Sequence, residues 1–126
     1  MAIDYGEART GVAFSDLTQT IVGRAETLAL TSKKLVAKII ELAQQNDVEL
    51  AVVGLPLNMD DTPGERTEKT ERFAEKLRRR GLNIVLQDER LTTVEAHEIL
   101  RETGSKASVD SIAASLILEE YLRNRA

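Results

Sequence analysis

Three acidic positions stand out for what surrounds them. Asp4 ends the short apolar opening Ala2-Ile3-Asp4, Asp88 and Glu89 follow an apolar run ending at Gln87, and Asp110 lies in the first turn of a helical stretch beginning near Val109. Each has an ordinary reading: Asp4 as the initiator of a tight turn at Gly6, Asp88 and Glu89 as solvated loop acids, and Asp110 as an acid favoured by the helix dipole. Asp110, however, shares a helical row with Ala114, Ile117 and Tyr121, which aims it at a sheet and not at water. If that last helix packs over the first and fifth strands, Asp4, Glu89 and Asp110 converge. Converging carboxylates repel and raise one another's pKa, and a divalent cation ligated by all three resolves the conflict. Oxygen-only ligation selects magnesium or manganese, whose chemistry on a phosphodiester is hydrolysis by an activated water. With no cysteine and a single histidine, His97, there are too few ligands for thiolate catalysis, structural zinc, disulfides or iron–sulfur clusters. His97 itself reads as a surface or packing residue.

The elements that must position these acids follow from hydrophobic periodicity. Ala2 to Tyr5 and Thr10 to Ser15 read as a hairpin turning through Gly6-Glu7-Ala8-Arg9, and a third extended segment lies between Ile21 and Leu30. Alternation puts Asp4 with Ala2, opposite Ile3 and Tyr5. Ser32 to Asn46 carries Leu35, Val36, Ile39, Ile40, Leu42 and Ala43 at helical spacing, with Thr31 or Ser32 as N-cap. Leu50 to Leu55 is a continuous apolar run, as a strand buried on both faces requires. The polar loop Pro56 to Arg66 leads into a helix from about Thr67 to Arg80, stopped by Gly81. Asn83 to Gln87 reads as a strand, Thr92-Thr93-Val94-Glu95 as a capping box opening a helix that Gly104 ends, and Val109 to Arg123 as a final helix. The order predicts a single α/β domain over residues 1–126, built on a mixed five-stranded sheet with helices on both faces. In such sheets functional groups gather beyond the carboxyl ends of the parallel strands, where these acids lie.

Composition bounds the rest. The chain has 126 residues, 42% apolar and 30% charged, a globular balance too short for two lobes closing over a ligand. Its net charge of −4 excludes histone-like coating of DNA and confines nucleic-acid contact to local basic patches. Tyr5, Phe14, Phe73 and Tyr121 are the only aromatics, too few for a platform on which several bases stack. No apolar run approaches the roughly 18–20 residues of a membrane span and Met1 to Gly6 carries no basic leader, so a cytoplasmic location and no membrane partner are expected.

Four segments, in this order, resemble the YqgF/RuvX family over almost the whole chain: Ile3-Asp4-Tyr5-Gly6-Glu7 through Arg9-Thr10-Gly11-Val12-Ala13, Val53-Gly54-Leu55-Pro56-Leu57-Asn58-Met59-Asp60, Asp88-Glu89-Arg90-Leu91-Thr92-Thr93, and Val109-Asp110-Ser111-Ile112-Ala113-Ala114. The resemblance implies an RNase H-like fold and a metal-dependent nuclease, described either as maturing pre-16S rRNA or as resolving Holliday junctions. Carried over residue by residue, it makes Asp4, Glu89 and Asp110 the catalytic acids and, with Asp88 as a neighbour, the ligands of Mg2+ or Mn2+. It makes Arg9, Asn58, Arg66, Arg90 and Lys106 contacts to substrate, with the Gly54 to Asp60 loop bordering the cleft. The implied partner is structured RNA such as pre-16S rRNA, alternatively branched DNA. A resolvase needs paired symmetric cuts and hence a dimer, and no heptad or apolar stripe announces one, so a monomer or weak homodimer is expected.

Gly54 and Pro56 also have a simpler role in shaping the turn, Arg90 in pairing with Asp88, and Met59 in filling the loop's apolar side. Asp61 stands where the family usually carries glycine, which predicts a reshaped turn. The segment Gly104-Ser105-Lys106-Ala107-Ser108 is shorter than the family's basic loop, which predicts weaker nucleic-acid binding, and the first strand has only three residues before Asp4. Asp4-Tyr5-Gly6 followed by Thr10-Gly11 also resembles the first phosphate loop of actin-like and sugar-kinase ATPases, whose two duplicated lobes this length excludes. A non-catalytic RNA-binding assembly factor of the same fold is the rival from another class. Arg78-Arg79-Arg80 complements a helix carboxyl terminus first and offers a secondary RNA patch only after that.

Overall fold

The computed structural model describes residues 1–58, 60, 62–89, 92–103 and 108–125. The expectations placed on Met59, Asp61, Arg90, Gly104 and Lys106 lie outside the described residues. Within them, strands β1 (Ala2–Asp4), β2 (Thr10–Ser15), β3 (Val22–Leu28), β4 (Ala51–Leu55) and β5 (Ile84–Asp88) alternate with helices α1 (Ser32–Gln45), α2 (Glu65–Arg79), α3 (Thr92–Thr103) and α4 (Val109–Arg125). The strands form one sheet in the order β3-β2-β1-β4-β5. The hairpin side is antiparallel and β1-β4-β5 is parallel, the mixed α/β sheet expected from the sequence.

The two faces are built differently. On one, Ile3, Val12, Phe14, Ala51 and Val53 meet Leu35, Val36, Ile39 and Leu42 of α1 and Phe73 and Leu77 of α2. On the other, Ala2, Ala13 and Val52 meet Ala114, Ile117, Leu118 and Leu122 of α4, and α3 packs against α4. The strand β4, in the middle of the parallel set, is buried through Gly54, which explains its unbroken apolar run.

Local chemistry sets the helix ends. Thr31 is the N-cap of α1 through its backbone alone, without the side-chain bond expected of a Thr or Ser cap. The second helix starts two residues before the expected Thr67, because Thr67 is its third residue and its hydroxyl accepts from the Gly64 N–H at 3.0 Å. It stops where expected: Gly81 takes a positive φ, its N–H donates to Arg78, and the Leu82 N–H donates to Leu77, both terminal carbonyls thereby being satisfied. The tight turn expected from Asp4 is instead made by Thr10, whose buried hydroxyl bonds both the N–H and the carbonyl of Gly6.

The last helix lies over β1 as expected, but not over β5. It crosses β1, β2 and β3, touching β4 less, because the residues beneath it are small: Ala2, Gly11 and Ala13. At Gly11 the approach is backbone to backbone, since a Cβ there would lie 1.8 Å from the Asp110 carbonyl oxygen. The entry to α4 is fixed by Ser108, whose hydroxyl accepts from the Ser111 N–H at 3.1 Å and also bonds Thr27 of β3. Gly11→Ala is therefore expected to force α4 off the sheet and lower the unfolding free energy by about 1–3 kcal/mol, read as a lower urea midpoint. An unchanged midpoint would show that the contact is slack.

Candidate active site

The carboxyl ends of the three parallel strands open at one end of the sheet, on the face that α4 covers. Ile3 pairs with Val53 and Gly54 with Gln87, so Asp4, Gly54 and Gln87 occupy one row on that face. Glu89 extends the parallel ladder one step, its N–H donating to the Leu55 carbonyl at 2.9 Å. The pleat of β5 puts Asp88 on the face opposite Gln87, away from the other three acids, and Asp88 is exposed.

Asp4 and Asp110 are brought together. Burial first, and the Asp110 charge second, push the Asp4 carboxyl up to about 6, with the Arg66 guanidinium pulling the other way. Asp110 is partnered by Arg9, whose Nε lies 3.6 Å from Asp110 Oδ2. That pair is solvated on the Arg9 side and worth little to stability, so its effect is to offset charge locally. Arg9 and Arg66 thus reach the acids from the β1–β2 turn and from the start of α2, as two cations at the rim.

Glu89 is not part of that pair. With β4 intervening, β1 and β5 run roughly 10 Å apart, and the Glu89 side chain turns to α4. Its Oε1 accepts from Gln87 Nε2 at 2.9 Å, while the same amide donates to Glu120 Oε2 at 3.2 Å and to the Ile117 carbonyl at 3.0 Å. Burial pushes the Glu89 carboxyl up to about 8, helped by a hydrogen bond and charge from Glu120 and by the Glu95 charge, and opposed by the Gln87 bond. Among the described residues no three acidic or histidine side chains are grouped closely enough to share one cation. The donor set nevertheless fits one: all its donors are carboxyl oxygens, in a partly buried place, as a hard divalent ion requires.

Gln87 and Glu120 are the site residues that sequence reasoning missed. A polar Gln87 inside the otherwise apolar run Ile84-Val85-Leu86 was the available signal, since alternation places it on the face that Glu89 shares.

The β4–α2 loop is tied to itself. Asn58 donates from its backbone to the Thr62 carbonyl at 2.9 Å and from Nδ2 to Thr62 Oγ1 at 3.0 Å. Asp60 Oδ1 accepts from the Thr62 N–H and hydroxyl, and the Thr67 hydroxyl donates to the Pro56 carbonyl. Asn58 is thus an organiser of the loop. Three of the four aromatics are committed elsewhere: Tyr5 stacks on Phe73 with centroids 4.3 Å apart, and Phe14 lies under the Arg24 guanidinium.

A carboxyl whose pKa rises on folding holds its proton more tightly folded than unfolded, so stability falls as pH climbs from the unfolded value to the folded one. The metal-free protein is therefore expected to lose stability between pH 3.8 and about 6 through Asp4, and between pH 4.5 and about 8 through Glu89. At about 1.4 kcal/mol per pH unit the Asp4 loss is about 3 kcal/mol, while partial solvation of Glu89 cuts its share below what the same conversion gives. Urea midpoints measured with chelator across that range should fall in the wild type and fall less in Asp4→Asn, and a flat wild-type profile would contradict the electrostatics described.

A family model described as RuvX, Holliday junction resolvase, matches residues 1–124. A protein of Ruminiclostridium cellulolyticum is 44% identical over 130 residues, covering 97% of this chain and 92% of the relative. Relatives from Fusobacterium nucleatum and Lachnospira eligens are 38% and 40% identical, covering 97% and 99% of this chain and 94% and 96% of their own. All three carry the name "Putative pre-16S rRNA nuclease". With these matches spanning nearly every residue, and an α/β sheet that sets Asp4 and Asp110 side by side, the chain belongs to the RuvX family.

Proposed function

We propose that this protein is a metal-dependent nuclease of structured RNA that hydrolyses phosphodiester bonds at the 5′ side of pre-16S rRNA during ribosome maturation, acting in the cytoplasm. The observation that carries this reading is the Asp4–Asp110 pair: two carboxylates from opposite ends of the chain held in each other's field at the mouth of the parallel strands, with Arg9 on one of them. An inert fold gains nothing from juxtaposing like charges in a partly buried place.

Asp4, Asp110 and Glu89 would hold Mg2+ or Mn2+, with Asp88 the outlying neighbour on the reverse of β5. When bound, such an ion supplies a water acidic enough to attack phosphorus and stabilises the departing oxygen. The protein does the rest. Asp4 and Asp110, fixed on a strand and a helix, set the direction of approach. Arg9 and Arg66 neutralise phosphate oxygens and hold the backbone in register. Arg90 and Lys106 are proposed as further phosphate contacts, and Asn58 contributes by holding the loop that borders the cleft. With the aromatics engaged in packing, recognition rests on backbone charge and shape, as suits a structured RNA.

End-labelled structured RNA and a four-way DNA junction, each incubated with Mn2+ or Mg2+, test the proposal with wild type and folded Asp4→Asn. Cutting of RNA that falls by roughly 10³-fold in Asp4→Asn, as loss of several kcal/mol of ion-borne stabilisation requires, is the expected result. Paired symmetric nicks in the junction alone would transfer the assignment to a resolvase. Binding of RNA without any cutting would make the protein an assembly factor. Arg66→Ala should raise KM several-fold and leave kcat near wild type, separating backbone contact from chemistry.

A further inference from the structure

The second helix is divided lengthwise by charge. Helical spacing puts Glu68, Glu71 and Glu75 on one flank of α2 and Lys69, Arg72 and Lys76 on the other. The two flanks differ in how their cations are used. Beside the acidic one, Glu75 engages Arg78 at 3.6 Å and Arg79 at 3.9 Å, so two cations of the Arg78-Arg79-Arg80 run already have a carboxylate. On the other, Lys69 Nζ joins Glu7 of the β1–β2 turn and lies 3.2 Å from Glu65. Among the described residues, Arg72 and Lys76 form no ion pair, although Glu68 lies one turn before Arg72. Both are exposed.

These three cations line a small cleft with the stacked Tyr5 and Phe73 and with Leu35 and Val36 of α1. Its volume of about 110 Å³ is well below the roughly 300 Å³ at which small-molecule pockets begin, so it suits a phosphate laid along the surface and not an enclosed ligand. The cleft is continuous with the acids: Tyr5 directly follows Asp4, Arg66 of the same helix acts on Asp4, and Lys69 is bonded to the turn that carries Arg9. From Arg66 to Lys76 the helix extends about 15 Å at 1.5 Å per residue, a length of several phosphates. In a chain of net charge −4, an unneutralised cationic flank is the local patch that a polyanion requires.

We propose that the flank of α2 carrying Lys69, Arg72 and Lys76 is a track for the sugar–phosphate backbone of the RNA strand beyond the cut site. Arg72 and Lys76 are its phosphate contacts, and Lys69 fastens it to the β1–β2 turn. Arg78 and Arg79, engaged by Glu75, are not part of it. The inference rests on the reading of the protein as a nuclease of RNA, and it requires no cation at the acids.

Anisotropy of a fluorescently labelled structured RNA, kept uncut by chelator and titrated at several salt concentrations, tests the track. Arg72→Gln/Lys76→Gln is compared with Arg78→Gln/Arg79→Gln, which changes the net charge equally on the same helix, and glutamine is a good helix former at all four places. The first pair should weaken binding roughly tenfold or more near 0.1 M salt and reduce the slope of log K against log salt by about 2, one for each phosphate contact. The second should keep the wild-type slope and an affinity within about twofold. Equal losses in both pairs would reduce the effect to net charge and overturn the track. A wild type that cuts RNA with Mn2+, beside an Arg72→Gln/Lys76→Gln variant that binds with wild-type affinity and slope, would overturn the track and leave the nuclease reading standing. If the wild type neither binds nor cuts RNA, that reading fails and the track fails with it.

Discussion

The approach of α4 to β2 at Gly11 governs the functional end of the molecule. A helix backbone can rest directly on a strand only where the strand offers no side chain, and here Gly11 with the neighbouring Ala2 and Ala13 provides that bare track. Because the contact falls at the Asp110 carbonyl, the first turn of α4 is locked to the sheet at the residue whose carboxyl matters. Ser108 reinforces the same point twice, by capping the helix and by bonding β3. The position of Asp110 over the end of β1 follows from backbone sterics, and its charge has to be accommodated wherever that packing leaves it.

The accommodation is local and uneven. Asp110 takes Arg9, Asp4 retains its proton to higher pH, and Glu89 accepts from the Gln87 amide, which also reaches Glu120. Sheet geometry explains the split: β4 separates the two outer strands of the parallel set, so without an ion the acids at their ends take separate partners. In this form the protein resolves its like-charge conflict by protons and amides, both of which a multivalent cation can displace. A fold held mainly by two apolar layers tolerates such a strained polar end, since the packing of α1, α2 and α4 lies deeper along the strands.

The architecture was largely legible. Periodicity located every strand and helix within a few residues, and the continuous run at β4 marked it as a strand buried on both faces. The Asp4 face and the inward row of Asp110 followed from periods of 2.0 and 3.6, and both hold in the structure. Three features were not legible for identifiable reasons. The start of α2 depends on a hydroxyl reaching back three residues from Thr67, a bond that composition does not announce. The crossing of α4 over the hairpin depends on small residues lying under it, and helix direction over a sheet has no local signature. The link from Glu89 to α4 runs through the Gln87 amide to Ile117 and Glu120, some thirty residues away, so no pattern near Asp88-Glu89 encodes it.

The order of elements along the chain gives the Gly11 track a second meaning. α4 follows every strand, so during synthesis the sheet forms with α1 and α2 on one face while the other waits for its cover. A waiting face rich in large apolar groups would invite association with other nascent chains, but here it consists largely of alanine and glycine and offers little to adhere to. The same order delays assembly of the acid pair until α4 has docked. A partly made chain therefore carries Asp4 without Asp110, and the proposed cation site is complete only once α4 has docked.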